Sequence, residues 1–178
     1  MQERDWTTAD SLETTDDRHF QVRREPVTWP NGARIALTWT VVLELLTSTS
    51  KHFNTAHVIY GVYGGRRGIW RTLDLLDVYD VKASIFVNGA AGEKFPQAVK
   101  EAAARGHEIV PYGYASNFYL EELDARQERE HILKTLKIIE DLTGRKPRGW
   151  ASPEYRPGPN TLSILAEQGI VWYGDFPN

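Results

Sequence analysis

Short apolar runs alternate with helical stretches along most of this 178-residue chain, and that alternation is what most restricts its fold. The first run, Arg34 to Leu45, is rich in Val, Leu, Ile and Trp and is apolar at successive positions. Such a run reads as a strand covered on both faces, as in the middle of a parallel sheet. A helix is expected from Gly68, with Ile69, Leu73, Leu76 and, a little off phase, Tyr79 as its apolar residues. Strands are then expected in VKASIFVNGAAG, HEIVPYG, PRGWASPEYRPGP and IVWYGDF. Between them lie helices in KFPQAVKEAAARG, LDARQEREHILKTLKIIEDLTG and NTLSILAEQG. Pro96 suits a first turn, Asp124 suits an N-cap, Asn160 or Thr161 suits another, and Gly106 and Gly144 suit helix ends. Strict alternation implies parallel strands joined by right-handed crossovers.

In sheets of this kind ligands bind at the carboxyl ends of the strands. The positions to weigh are therefore Glu44 onward, Asn88, Tyr112 to Asn117, Ser152 to Arg156, and Asp175 onward. Residues 47–68 read as a long loop carrying the YGGRRG stretch. Residues 1–28 are polar, without sustained periodicity, and read as an extended arm ahead of a domain over 29–178.

Composition narrows the function classes. A net charge of −3 and a pI near 6.0 offer no electrostatic case for nucleic acid or an anionic membrane. No run approaches the length of a membrane span. Cysteine is absent, which excludes disulfides and thiolate metal sites. The polar, acidic start lacks the apolar segment of a signal peptide, so a cytoplasmic location is expected.

Each site candidate has a chemical reading and a structural one. Glu44 interrupts LTWTVVLELL, where an unpaired carboxylate costs several kcal/mol to bury, roughly. It is either a strand-end general base or the ion-pair partner of Arg66, Arg67 or Arg156. Arg66 and Arg67, flanked by glycines, could grip a substrate oxygen or pin a loop. Tyr112 could donate to an oxyanion or plug a dead site, with Ser116 beside it. Ser152, Glu154, Tyr155 and Arg156 line another strand end, where Glu154 could act as acid or base, or stay a solvated charge on a Pro-stiffened loop. Asn117 and Tyr119 read as loop structure, His107 as structural, His131 as a helix-surface residue, and His52 and His57 as solvent-facing histidines rather than metal ligands.

The stretches WPNGARIAL, YGGRRGIWRTLDLLDVYDVKASIFVNG, ARGHEIVPYGYASNFYLEEL, TGRKPRGWASP and PNTLSILAEQGIVWYGDFPN, in that order and spacing, resemble the polysaccharide deacetylase (NodB-homology) superfamily. The likeness is closest to its allantoinase-like and cyclic-imidase-like branch and covers roughly Trp29 to Asn178. It implies an α/β fold, an irregular parallel (β/α) barrel of which this chain holds about the first two thirds. The remainder would come from a second polypeptide or homologous chain, with an oligomer as the expected assembly, unless this chain is a piece cut or shortened from a longer one. Metal-dependent members use an Asp pair after the first strand and two histidines after the third. At those positions this chain has Val42 and Glu44, then Tyr112 and Ser116. The resemblance therefore implies no metal and no other cofactor here, and a small-molecule substrate with a cyclic amide, imide or ureide bond that is hydrolysed. Two other readings stay open: carbon–carbon cleavage or lyase chemistry on an apolar or aromatic substrate, suited to Trp39, Val42, Leu45, Tyr112, Tyr114 and Phe118, and a non-catalytic subunit that completes a barrel with another chain.

Overall fold

The computed structural model describes residues 28–48, 50–52 and 54–175. The chain divides into two compact units, Met1–Leu37 and Thr38–Asn178. The expected N-terminal arm lies almost wholly outside the described residues. In the first unit, Pro30–Gly32 forms a 3-10 turn.

The second unit alternates as the sequence predicts. Its elements are β1 (Thr40–Leu43), α1 (Thr55–Tyr63), α2 (Ile69–Val78), β2 (Ser84–Val87), α3 (Gly89–Lys94), α4 (Pro96–Ala104), β3 (Glu108–Pro111), α5 (Ala125–Thr143), β4 (Gly149–Trp150), α6 (Thr161–Glu167) and β5 (Trp172–Tyr173). Strands β1, β2 and β3 pair in parallel, Val42 with Phe86 and Phe86 with Val110. Strands β4 and β5 form a second parallel pair. The Ala151 N–H donates to the Pro111 carbonyl and ties the β4 exit to β3. Among the described residues, β1 and β5 each keep one edge without a strand partner.

Period-two alternation sorts the residues of the three-stranded sheet. Leu43, Ile85, Val87 and Ile109 face the helices and pack with Ile69, Leu73, Val99 and Ile139 in one core cluster. The other face carries Val42, Phe86 and, beyond β3, Tyr112. The rings of Phe86 and Tyr112 stack at 6.0 Å, and Trp172 lies 6.4 Å from Phe86. A second cluster, around Trp150, Ile132 and Ile164, seats α5 and α6 on β4.

Helix α5 shows why some ends were readable. Asp124 and Gln127 make a reciprocal capping box, and Gly144 closes the helix at φ +67°. Asn160 occupies the α6 N-cap without a side-chain cap bond. It donates instead to Glu128, a fully buried carboxylate that also accepts from the Thr161 hydroxyl at 2.6 Å.

Three expectations are corrected. The first strand is four residues long rather than twelve: Ile35, Leu37 and Trp39 are exposed, and of these Trp39 only lends its carbonyl to the Ser84 N–H. The second strand ends at Val87, and residues 89–92 of the stretch read with it open α3, whose N-cap is Asn88. Residues 47–68 are not a loop throughout: α1 runs through a π-helical turn, Gly64–Gly68, directly into α2. Helix α1 buries no side chain fully, so it leaves no apolar stripe to read, and its β-branched, aromatic and glycine content is poor for helix. Its start is marked only by Asn54, whose side chain accepts from the Ala56 and His57 N–H groups.

Candidate functional site

The carboxyl ends of β1 and β3, with α1 and the turn after β4, enclose a cavity of about 670 Å³. Glu44 lines it, two residues beyond Val42 on the open face of the sheet. Its carboxylate is partly exposed to the cavity rather than sealed among apolar neighbours. Among the described residues no arginine holds it. Ser116, leaving β3, donates its hydroxyl to Glu44 Oε2 at 2.5 Å. Behind Ser116 stands Asn88, fully buried at the end of β2. Asn88 Nδ2 donates to Ser116 Oγ at 3.1 Å and to the Leu45 carbonyl at 2.7 Å. Its Oδ1 accepts from Leu45 N–H at 3.2 Å and from Ala91 N–H at 2.9 Å. One amide thus binds the exits of β1 and β3 to the start of α3 and fixes the hydroxyl that grips Glu44.

Helix α1 approaches closely at Gly61. A Cβ there would sit 2.6 Å from the Glu44 carbonyl oxygen and 2.8 Å from Leu45 Cδ2. Only glycine admits that approach, which brings His57 and Tyr60 to the cavity.

Tyr112 is buried, 7% exposed, and does not itself line the cavity; its hydroxyl accepts from the N–H of Glu154, which does, at 3.1 Å. Burial pushes the phenol up to about 12. The Glu154 side chain lines the cavity from a strained turn, with φ +54° at Glu154 and +56° at Tyr155. Non-glycine residues adopt that region at about 1 kcal/mol each.

The other predicted residues do not converge on the cavity. Ser152 is fully buried, accepting from the Trp150 indole N–H at 3.1 Å and donating its own N–H to Asp175 at 2.6 Å. Arg66 and Arg67 are exposed on the π-helical turn, outside the lining. Arg156 is held by Glu121 through Nε at 2.7 Å and lies 3.9 Å over the Tyr119 ring. Tyr155 projects to solvent. Tyr114 and Phe118 pack against His131 rather than the cavity, and Leu45 joins the core. His131 is correspondingly half-buried, not a surface residue, and burial pulls its pKa down.

Residues read as loop structure or solvent-facing line the cavity instead: His52, Asn54, His57, Asn117 and Tyr119. Asn117 clasps Thr47, accepting its N–H at 3.0 Å and donating to its carbonyl at 2.8 Å. Glu122 accepts from His52 Nε2 at 3.1 Å through each oxygen and pairs with Lys51 at 3.0 Å. Lys51 and His52 hold the Glu122 carboxyl below its usual range.

Glu44, Tyr112 and Ser116 do not fit a transition metal. Ser116 directs its proton at the one carboxylate, and a phenol pushed up to about 12 is a poor source of phenolate. Among the described residues, no group of three His, Asp or Glu side chains is arranged to hold a metal ion.

Comparison with known proteins places this geometry in a family. The polysaccharide deacetylase profile matches residues 61–172. A peptidoglycan deacetylase-like protein of Gibberella zeae is 32% identical over 63% of this chain and 33% of its own length. A peptidoglycan deacetylase of Helicobacter pylori is 32% identical over 63% of this chain and 38% of its own. The crystal structure of a polysaccharide deacetylase homologue from Mycobacterium smegmatis superposes with a TM-score of 0.72 at 27% identity, covering 84% of this chain and 54% of that one. That of Puue allantoinase gives 0.70 at 29%, covering 85% and 56%. This chain thus spans between a third and two fifths of those two curated relatives and about half of those solved structures. With the profile covering more than half of its residues, the chain belongs to the polysaccharide deacetylase family.

Proposed function

We propose that this chain carries the water-activating part of a hydrolase site that opens a non-peptide C–N bond in a cyclic amide, imide or ureide without a resident metal. The observation that carries the reading is Glu44, a carboxylate facing the cavity, free of any cationic partner among the described residues, and aimed by the Ser116 hydroxyl. A carboxylate so placed can take a proton from water as the water oxygen attacks a carbonyl carbon. Tyr112 lies behind the lining but meets Glu154, which belongs to it; its phenol holds its proton firmly and already accepts from the Glu154 N–H, so its O–H is the donor we assign to the developing oxyanion. The departing nitrogen takes its proton from Glu154 or from His52, both of which line the cavity. The choice of a cyclic substrate draws on the likeness to Puue allantoinase, and the absence of a resident metal on the misfit of the donor set. Arg66 and Arg67, exposed outside the lining, have no part in this scheme.

The test is product analysis on a panel of hydantoins, imides and lactams. Stoichiometric appearance of a ring-opened carboxylic acid, lost in Glu44→Gln, is the expected result. Cleavage of a carbon–carbon bond, or unchanged turnover in Glu44→Gln, would discard it.

We further propose that additional strands close the sheet along the free edges of β1 and β5 to form a barrel, supplied by this polypeptide or a second one. Val42, half exposed on β1, lies on the face such strands would cover. Size-exclusion chromatography with mass analysis of co-purifying protein tests the two-chain version. A fully active monomer of this chain alone would rule it out.

A further inference from the structure

We propose that His52, oriented by Glu122, is the general acid that protonates the leaving nitrogen in this cavity. The inference rests on the hydrolase reading above and assigns a role that neither the sequence pattern nor the family positions point to.

Four contacts fix the imidazole. Nε2 meets both carboxylate oxygens of Glu122 at 3.1 Å. The ring leans on Tyr119 with centroids 4.6 Å apart. The His52 backbone N–H donates to Ser50 Oγ at 3.1 Å, and Ser50 in turn donates to the Asn117 carbonyl. Ser50 and Asn117 thereby tie the histidine's loop to the wall that also carries Ser116. With Nε2 committed to Glu122, Nδ1 is the ring nitrogen left without a protein partner among the described residues, and His52 lines the same cavity as Glu44. An imidazole whose far nitrogen is held by a carboxylate is the arrangement that sets ring orientation and tautomer in acid–base sites.

Glu154 is less suited. Its side chain makes no hydrogen bond among the described residues and is exposed on a strained turn, so nothing fixes the direction of its proton. The charged groups around His52 are Glu122 and Lys51, which pair with each other at 3.0 Å. Arg156 stands beyond, paired with Glu121 and lying over Tyr119.

The step balances as follows. Glu44 takes a proton from water as the water oxygen bonds to the carbonyl carbon. The C–N bond breaks with its electron pair going to nitrogen, and the Nδ1–H of the doubly protonated imidazole supplies that nitrogen's proton. The products are a carboxylic acid and a freed N–H group. Solvent then moves one proton from Glu44 to His52, restoring both.

Two measurements on the full chain test this. The first is 15N NMR of histidine-labelled protein titrated with succinimide. Saturation should shift the His52 Nδ1 resonance and leave His107 unmoved, and an unmoved His52 overturns the proposal. The second is kinetic, with His52→Gln, whose amide can still donate to Glu122. Ring substrates are graded from an imide, with a good leaving nitrogen, to an unactivated lactam. The variant should lose roughly 10²- to 10⁴-fold in kcat on the lactam and far less on the imide. A uniform loss across the series marks His52 as structural and overturns the acid role, as does no loss. His52→Gln harmless while Glu44→Gln is dead removes only this proposal; a wild-type chain inactive on the whole series removes the hydrolase reading and this role together.

Discussion

Replacing Asn88 with alanine should destabilise the fold well beyond replacing the Ser116 that it holds. Its side chain makes four buried hydrogen bonds, to Leu45 N–H, the Leu45 carbonyl, Ala91 N–H and Ser116 Oγ. The Leu45 carbonyl would stay satisfied, since Ser116 N–H also donates to it at 3.1 Å. The Leu45 and Ala91 N–H groups would be orphaned. Each orphaned buried donor costs about 1–3 kcal/mol, so the pair costs roughly 2–6 kcal/mol. For a domain of this size, about 2–4 °C of Tm follows each kcal/mol, which places the fall on the order of 10 °C. Ser116→Ala is the informative contrast. It removes the hydroxyl that aims Glu44 but orphans no backbone donor, so it should cost about 1 kcal/mol while reducing turnover. Urea unfolding followed by tryptophan fluorescence reads both, with the buried Trp150 as reporter. An Asn88→Ala loss below about 1 kcal/mol, or equal losses in the two variants, would refute the account of how the strand ends are bound together.

Three further outcomes are expected. Gly61→Val drives a Cβ into the Glu44 carbonyl and Leu45, so it should destabilise by about 1–3 kcal/mol and impair turnover, checked by denaturation and rate together. Burial pulls the His131 pKa down, so between that lowered value and an unfolded value of about 6.5 the unfolded chain binds more protons; stability is full above about 6.5 and is lost as pH falls through the folded value, and a Tm–pH series from 7.5 to 5 should fall less steeply in His131→Phe. Dialysis against EDTA should leave Tm within about 1 °C and turnover within about twofold, since a resident metal would stabilise the native state on binding; a collapse of turnover restored by zinc would contradict the metal-free proposal.

What could be read from the sequence was what one element declares about itself. The α5 helix announces its start with Asp124 and its end with Gly144, and both act as read. Glu44 stood out because a carboxylate among apolar strand residues requires a reason, and the structure places it on a cavity. Helix α1 is invisible in the sequence because it buries nothing fully and so writes no period into it. The Asn88–Ser116–Glu44 relay was illegible because its members are 28 and 72 residues apart and meet only once the strands pair. His52 looks solvent-facing in the sequence because nothing in residues 47–57 signals that Glu122, seventy positions on, will hold its ring. The arginines misled for the opposite reason. Arg66 and Arg67 sit in a glycine-rich stretch that looks like a binding loop, yet the chain is helical there and points them to solvent.

The most direct measurement is a crystal structure with a slowly hydrolysed cyclic imide bound. The account predicts the ligand carbonyl over Glu44, with Tyr112 Oη within hydrogen-bond reach of the carbonyl oxygen and Ser116 still gripping the carboxylate. A ligand seated elsewhere, or Glu44 turned away into an ion pair, would contradict it.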